Sequence, residues 1–159
     1  MGLEAESEEL LGGRASQIVA VIGADGRPIA TRGWGLTPVD REAQRWRLLL
    51  DADDEDELAH LAGGGAIAVT ASDVQTLKSV QIKGRVEEFL PVTDADRAKW
   101  DDHCDGFFDD VERADHIPRH EIERIRPFGI IACTIVVDEM FDQTPGPAAG
   151  TALAGAGDG

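Results

Sequence analysis

The chain has 159 residues, enough for one domain with a real core, and 42% of them are hydrophobic while 29% are charged. Its 31 acidic residues against 15 basic ones give a formal net charge of -16, which argues against nucleic-acid and membrane-surface roles because both partners are anionic. No apolar run reaches the about 18 residues of a membrane span. Two cysteines outside any CxxC pair argue against a disulfide framework or a structural zinc site. The acidic start carries no basic leader segment, so the cytoplasm is the expected compartment.

In chain order, residues 1–13 predict an arm or a short helix. Residues 17–22 alternate as a strand, Asp25-Gly26 is a hairpin turn, and residues 28–36 return as a second strand. Gly33 and Gly35 in that strand point to a bulge or to the close approach of another group. Pro38 and its polar neighbours predict a loop over 37–45, and residues 46–50 a short third strand. Residues 53–61 predict a helix capped by Asp53 or Asp54, with an acidic first turn that suits the helix dipole and Gly63-Gly64-Gly65 as its stop. Strands follow over 66–71 and from 77 to 90, then helices over 94–110, 110–114 and 118–125, and a last strand over 128–140. The fold class is mainly β with α. About six antiparallel strands form a small Greek-key-type barrel with peripheral helices. The end of the chain is rich in Gly, Pro and Ala.

Residues 77–86 carry the best candidate for a binding surface. From Ser79 on, Val80, Ile82 and Val86 face one way while Ser79, Gln81, Lys83 and Arg85 face the other. No acidic residue occurs between Asp73 and Glu87, so a basic, amide-bearing face interrupts an acidic chain. It reads either as a solvated strand face or as a site for an anionic small molecule. The standard hydrolase, metalloprotease, phosphate-loop and dinucleotide signatures are absent. His116 and His120 have the spacing of two metal ligands on one helix face, but Pro118 lies between them. Trp34 is either a core residue or a cover for a flat ligand, and Cys133, in an apolar run, reads as a buried thiol.

The hairpin with Asp25-Gly26-Arg27-Pro28, the short strand 46–50, the helix after it, and Val80-Gln81-Ile82-Lys83-Gly84 together resemble the pyridoxamine 5′-phosphate oxidase-like FMN-binding split barrel, in the same order over residues 15–140. The resemblance implies a split-barrel domain over 15–142, and composition adds a mobile acidic arm over 1–14 and a flexible tail over 143–159. The resemblance also implies a homodimer with cofactor sites at the subunit interface, and a flavin-dependent oxidoreductase activity on a small-molecule substrate. Carried over by position, Thr31, Arg32, Gly33 and Trp34 fall where the second strand meets the flavin, and Lys78, Ser79, Gln81 and Lys83 on the strand facing the ring. FMN is the expected cofactor, and related barrels use F420 or haem. One departure stands out. Family members place a Ser-Arg-Lys group for the flavin phosphate after the third strand, where this chain has Asp53-Asp54-Glu55-Asp56-Glu57. Arg32, Arg47, Lys78 or Lys83 would then have to supply the charge, or the ligand differs and the chain is a haem- or small-molecule-binding module of the same fold.

Overall fold

The computed structural model describes residues 5–61 and 64–154. The first four residues of the expected arm, Gly63 of the helix stop and the last five residues of the expected tail lie outside them. Strands β1 (Ser16–Ile22), β2 (Pro28–Asp40), β3 (Arg45–Asp51), β4 (Ala66–Ser72), β5 (Ser79–Leu90) and β6 (Ile130–Asp142) form one antiparallel sheet in the order β3-β2-β1-β4-β5-β6. β3 also pairs with β6, from Arg45↔Val136 to Asp51↔Ile130, and this closes six strands into a barrel. Closure removes both free edges of the sheet. A seventh strand, β7 (Thr151–Ala154), lies in the segment expected as a tail and pairs with β6.

Alternation along each strand divides the residues between two cores. Val19, Val21, Leu48, Val69, Val80, Ile82 and Ile135 fill the barrel. Helix α1 (Ala5–Gly12) occupies the N-terminal stretch, and its Leu11 is fully buried in that same cluster. This segment is therefore a packed helix over these residues, because Leu11 finds an apolar cavity that sequence periodicity alone does not reveal. The helix expected over 53–61 is broken into a 3-10 turn (Ala52–Asp54), the four-residue α2 (Glu55–Leu58) and a second 3-10 turn (Ala59–Leu61).

In the outer layer α3 (Asp94–Asp115) merges the pieces expected over 94–110 and 110–114, while the piece expected over 118–125 is present as a short α-helix followed by a 3-10 turn (Glu123–Ile125). Thr93 and Asp96 form a capping box at the start of α3. His116, in the left-handed region at φ 57, ends it, and Pro118 caps the four-residue α4 (Arg119–Ile122). His116 and His120 are thus on different elements and both exposed. α3 lays Cys104, Phe107 and Phe108 over Trp34, Leu49 and Ala132. β2 runs on through Pro38 to Asp40, where a loop had been expected. By Pro38 its pairing with β1 has ended, so the missing N–H faces no ladder. No described helix is long and apolar enough to cross a membrane.

Candidate functional site

The barrel register brings Arg32, Gln81 and Lys83 of the expected site residues onto one outer face. Ile18 pairs with Arg32 on one side and Thr70 on the other; Thr70 pairs with Gln81, and Gln81 with Phe141. Since Val19, Val69 and Ile82 point inward, this transverse row of five residues points outward. The next row is Ala30, Ala20, Ala68, Lys83 and Glu139. Ile18 is 42% exposed and Ile22 49%, and Ala20, Ala30 and Ala66 are exposed around them. The result is a flat, small-residue platform with Arg32 at one end and the amide of Gln81 near the other.

Polar groups line that second end. Gln81 donates from Nε2 to Thr70 Oγ1 at 3.0 Å and accepts from Gln143 Nε2 at 3.4 Å. Gln143 is held there by its backbone N–H to Ser79 O, at 2.9 Å. Ser79 is 6% exposed; its hydroxyl lies 2.7 Å from Ser72 Oγ, and its N–H donates to Thr144 Oγ1 at 3.1 Å. The segment after β6 therefore folds back over the start of β5. Lys83 Nζ sits 4.7 Å from the Phe141 ring centroid, a cation–π contact on the platform.

The four candidate cations fare differently. Arg47 is taken by Asp96, with both nitrogens at 2.6 Å, and so anchors α3 to β3. Lys78 precedes β5, after Leu77 at φ 64, and forms an ion pair with Glu6 of α1. Lys83 has the aromatic partner just described. Arg32 is half-buried and has no carboxylate among the described residues: Nη1 donates to Ser16 Oγ at 3.3 Å, and the guanidinium lies 5.5 Å from the Phe107 ring centroid. Burial lowers its pKa. Two cavities meet at Arg32. One, of about 630 Å³, is lined by Ser16, Phe107, Val111, Ile122 and Arg124 beneath the C-terminal half of α3. The other, of about 330 Å³, is lined by Ile18, Ala30, Thr31, Asp51 and Asp54.

The remaining expected residues also have contacts within the fold, and Thr31 and Trp34 line the smaller cavity as well. Gly33 has its backbone against Gln17: a Cβ there would meet Gln17 Oε1 at 2.7 Å. Gln17 is 1% exposed, donates to Leu11 O at 3.1 Å and accepts from Gly35 N at 3.1 Å, so the close approach at these glycines is made by a side chain of the barrel interior. Trp34 is 2% exposed and packs edge-on against His103 and Phe108, the core reading of that residue, while also forming part of the smaller cavity's wall. Thr31 donates its hydroxyl to Asp54. Cys133 is fully buried and its thiol is pushed up to about 12 by burial. No group of three or more His, Cys, Asp or Glu is placed to hold a metal among the described residues. Ile18, Thr70 and Asp51 were not candidates in the sequence. Only the strand register, which sequence alternation leaves open, sets them beside Arg32 and Gln81.

No family model matches the chain, and no curated protein matches it. Solved structures do. HupZ of Group A Streptococcus superposes at TM-score 0.55 with 15% identity, over 93% of this chain and 99% of that one. A protein related to general stress protein 26, of the pyridoxinephosphate oxidase family, from Clostridium acetobutylicum superposes at TM-score 0.50 with 16% identity, over 85% and 83%. An F420 reductase does so at TM-score 0.50 with 13% identity, over 87% and 98%. This chain has the pyridoxamine 5′-phosphate oxidase-like split-barrel fold. Within the split barrel, the platform and its two flanking cavities draw on residues within 16–34, 51–54, 66–83 and 107–143, so the site is assembled from distant parts of the chain.

Proposed function

We propose that this split barrel is a homodimer that holds a flavin-type ring on the row Arg32–Ile18–Thr70–Gln81–Phe141 and acts as a flavin-dependent oxidoreductase on a small molecule. The observation that carries the reading is that row: an apolar floor for a planar ring, amide and hydroxyl groups at one end for hydrogen bonds to a ring edge, and at the other a half-buried arginine without a carboxylate. A bound flavin would supply the hydride chemistry. The chain's part is to orient the ring through Gln81 and Thr70, to place positive charge beside it with Arg32, and to exclude water. Exclusion of water requires a second copy over the platform, and the exposed Ile18, Ala20, Ile22 and Ala30 give that copy an apolar patch to cover. The F420 reductase among the structural neighbours is consistent with a redox role.

A ring fits this surface, but the phosphate of FMN does not fit its tail end, where Asp51 and Asp54 line the cavity. That observation favours a second reading, a haem- or small-molecule-binding module of the same fold. The visible spectrum of the purified protein separates the two. Flavin bands support the oxidoreductase reading; a Soret band, or no absorbance even after incubation with flavins, overturns it. The paired variant Arg32→Met with Gln81→Ala is expected to lose flavin retention. Unchanged flavin content in that variant sinks the site assignment.

A further inference from the structure

We propose that the tail end of this site is built for an uncharged, hydroxyl-bearing chain, so that the flavin it takes is the unphosphorylated one, riboflavin. The inference rests on the flavin reading above and adds the chemistry of the tail.

Ile18 belongs both to the ring platform and to the wall of the about 330 Å³ cavity, so a ligand lying on the row continues into that cavity. The cavity is apolar at Ile18 and Ala30 and acidic at Asp51 and Asp54. Asp51 comes from the end of β3 and Asp54 from the 3-10 turn after it. Each carboxylate has one described protein partner: Asp54 accepts from the Thr31 hydroxyl, and Asp51 Oδ1 accepts from Asp53 N at 3.0 Å. A carboxylate has about four lone-pair sites, so both retain acceptor capacity toward a ligand. Hydroxyl groups can donate into those sites, and such charge-assisted bonds are among the stronger ones. A phosphate dianion has no proton to donate and meets two negative charges instead.

Among the described residues, the lining of this smaller cavity does not reverse that balance. Arg32 is the one cation among the described residues that line this cavity, and its guanidinium is engaged toward Ser16 and Phe107. Arg47 and Lys78 are committed to Asp96 and Glu6. The larger cavity on the other side of Arg32 carries two acids, Asp115 and Glu121, beside a second cation, Arg124. Burial holds the Asp51 carboxyl above its ordinary pKa against the hydrogen bond from Asp53 N, with smaller pushes in the same direction from Asp54 and Asp53.

The test is a fluorescence titration of the full-length, flavin-free protein with riboflavin, FMN and lumichrome, which keeps the ring and lacks the tail. Riboflavin is expected to bind at least about tenfold more tightly than FMN at low salt, the gap narrowing at high salt and in Asp51→Asn with Asp54→Asn. Both substitutions keep an acceptor oxygen for Thr31 and Asp53, so the barrel end is retained. Lumichrome is expected to bind about tenfold more weakly than riboflavin. FMN binding as tightly as riboflavin, or lumichrome matching it, overturns the tail assignment and leaves the flavin reading standing. Binding of none of the three overturns both.

Discussion

His103 makes the fold sensitive to acid in a way that one substitution can isolate. The ring is 2% exposed, stacks on Phe107 at 6.1 Å and meets Trp34 edge-on at 6.4 Å. Its Nδ1 lies 3.2 Å from Gly13 O; a carbonyl only accepts, so the neutral ring carries its hydrogen on Nδ1. Burial is the main cause that lowers its pKa from 6.5 to about 4, Lys99 and Arg32 push the same way, and the bond to Gly13 opposes them. Because the folded pKa is depressed, the unfolded chain binds the proton first. Above pH 6.5 the residue is neutral in both states and contributes nothing to the pH dependence. Between 6.5 and about 4 the unfolded state gains, and at about 1.4 kcal/mol per pH unit the loss reaches ~3 kcal/mol. Below the folded pKa the slope levels off. Urea unfolding of the wild type and of His103→Gln, at neutral pH and near the lower end of that window, measures the difference. Acidic groups with depressed pKa values, such as Asp73, Asp96 and Asp142, affect both proteins alike and cancel. The wild type is expected to lose ~3 kcal/mol more than the variant over the window; equal losses refute the argument that burial keeps this ring neutral.

Other consequences are equally direct. Asp96→Ala strands the guanidinium of Arg47, only 18% exposed in its side chain, and removes the capping box, so a loss of about 3 kcal/mol is expected in denaturant unfolding; Asp96→Leu combined with Arg47→Met should recover most of it. Gly84→Ala would place a methyl 1.8 Å from Val136 O at the β5–β6 bulge, and a fall of at least ~2 kcal/mol, or loss of soluble protein, is the expected result. Ile18→Glu in the middle of the platform should convert a dimer to a monomer in light scattering after gel filtration; an unchanged mass would remove this face as the dimer seam.

The regular elements were largely legible in the sequence because their signals are local. Alternation marks β1, β4 and β5, and Asp25-Gly26 marks the first hairpin. The signals misled where a distant contact outweighed a local preference. Pro38 stops a strand only when its N–H is needed by a neighbour, and at that point β1 has already ended. Leu11 makes α1 part of the core because the barrel supplies an apolar cavity. The basic face of β5 likewise read as a source of several cations, yet Lys78 is committed to Glu6, a residue 72 positions away.

By itself the sequence determined the strand faces, the turn positions, the strongly acidic balance and the carboxylates that follow β3, since each depends on residue type and short spacing. Tertiary structure decided which of two equivalent-looking outer faces is covered. α3 buries Trp34, whereas the row through Ile18 stays open, and alternation cannot distinguish the two because it specifies only sides. It also decided which of Arg32 and Arg47 meets a carboxylate. Arg32 and Arg47 sit on neighbouring strands with similar sequence surroundings, but the chain brings Asp96 to one and Phe107 to the other. Ion pairing is settled by where the fold delivers the partner, and that position is set by barrel closure through β3 and β6.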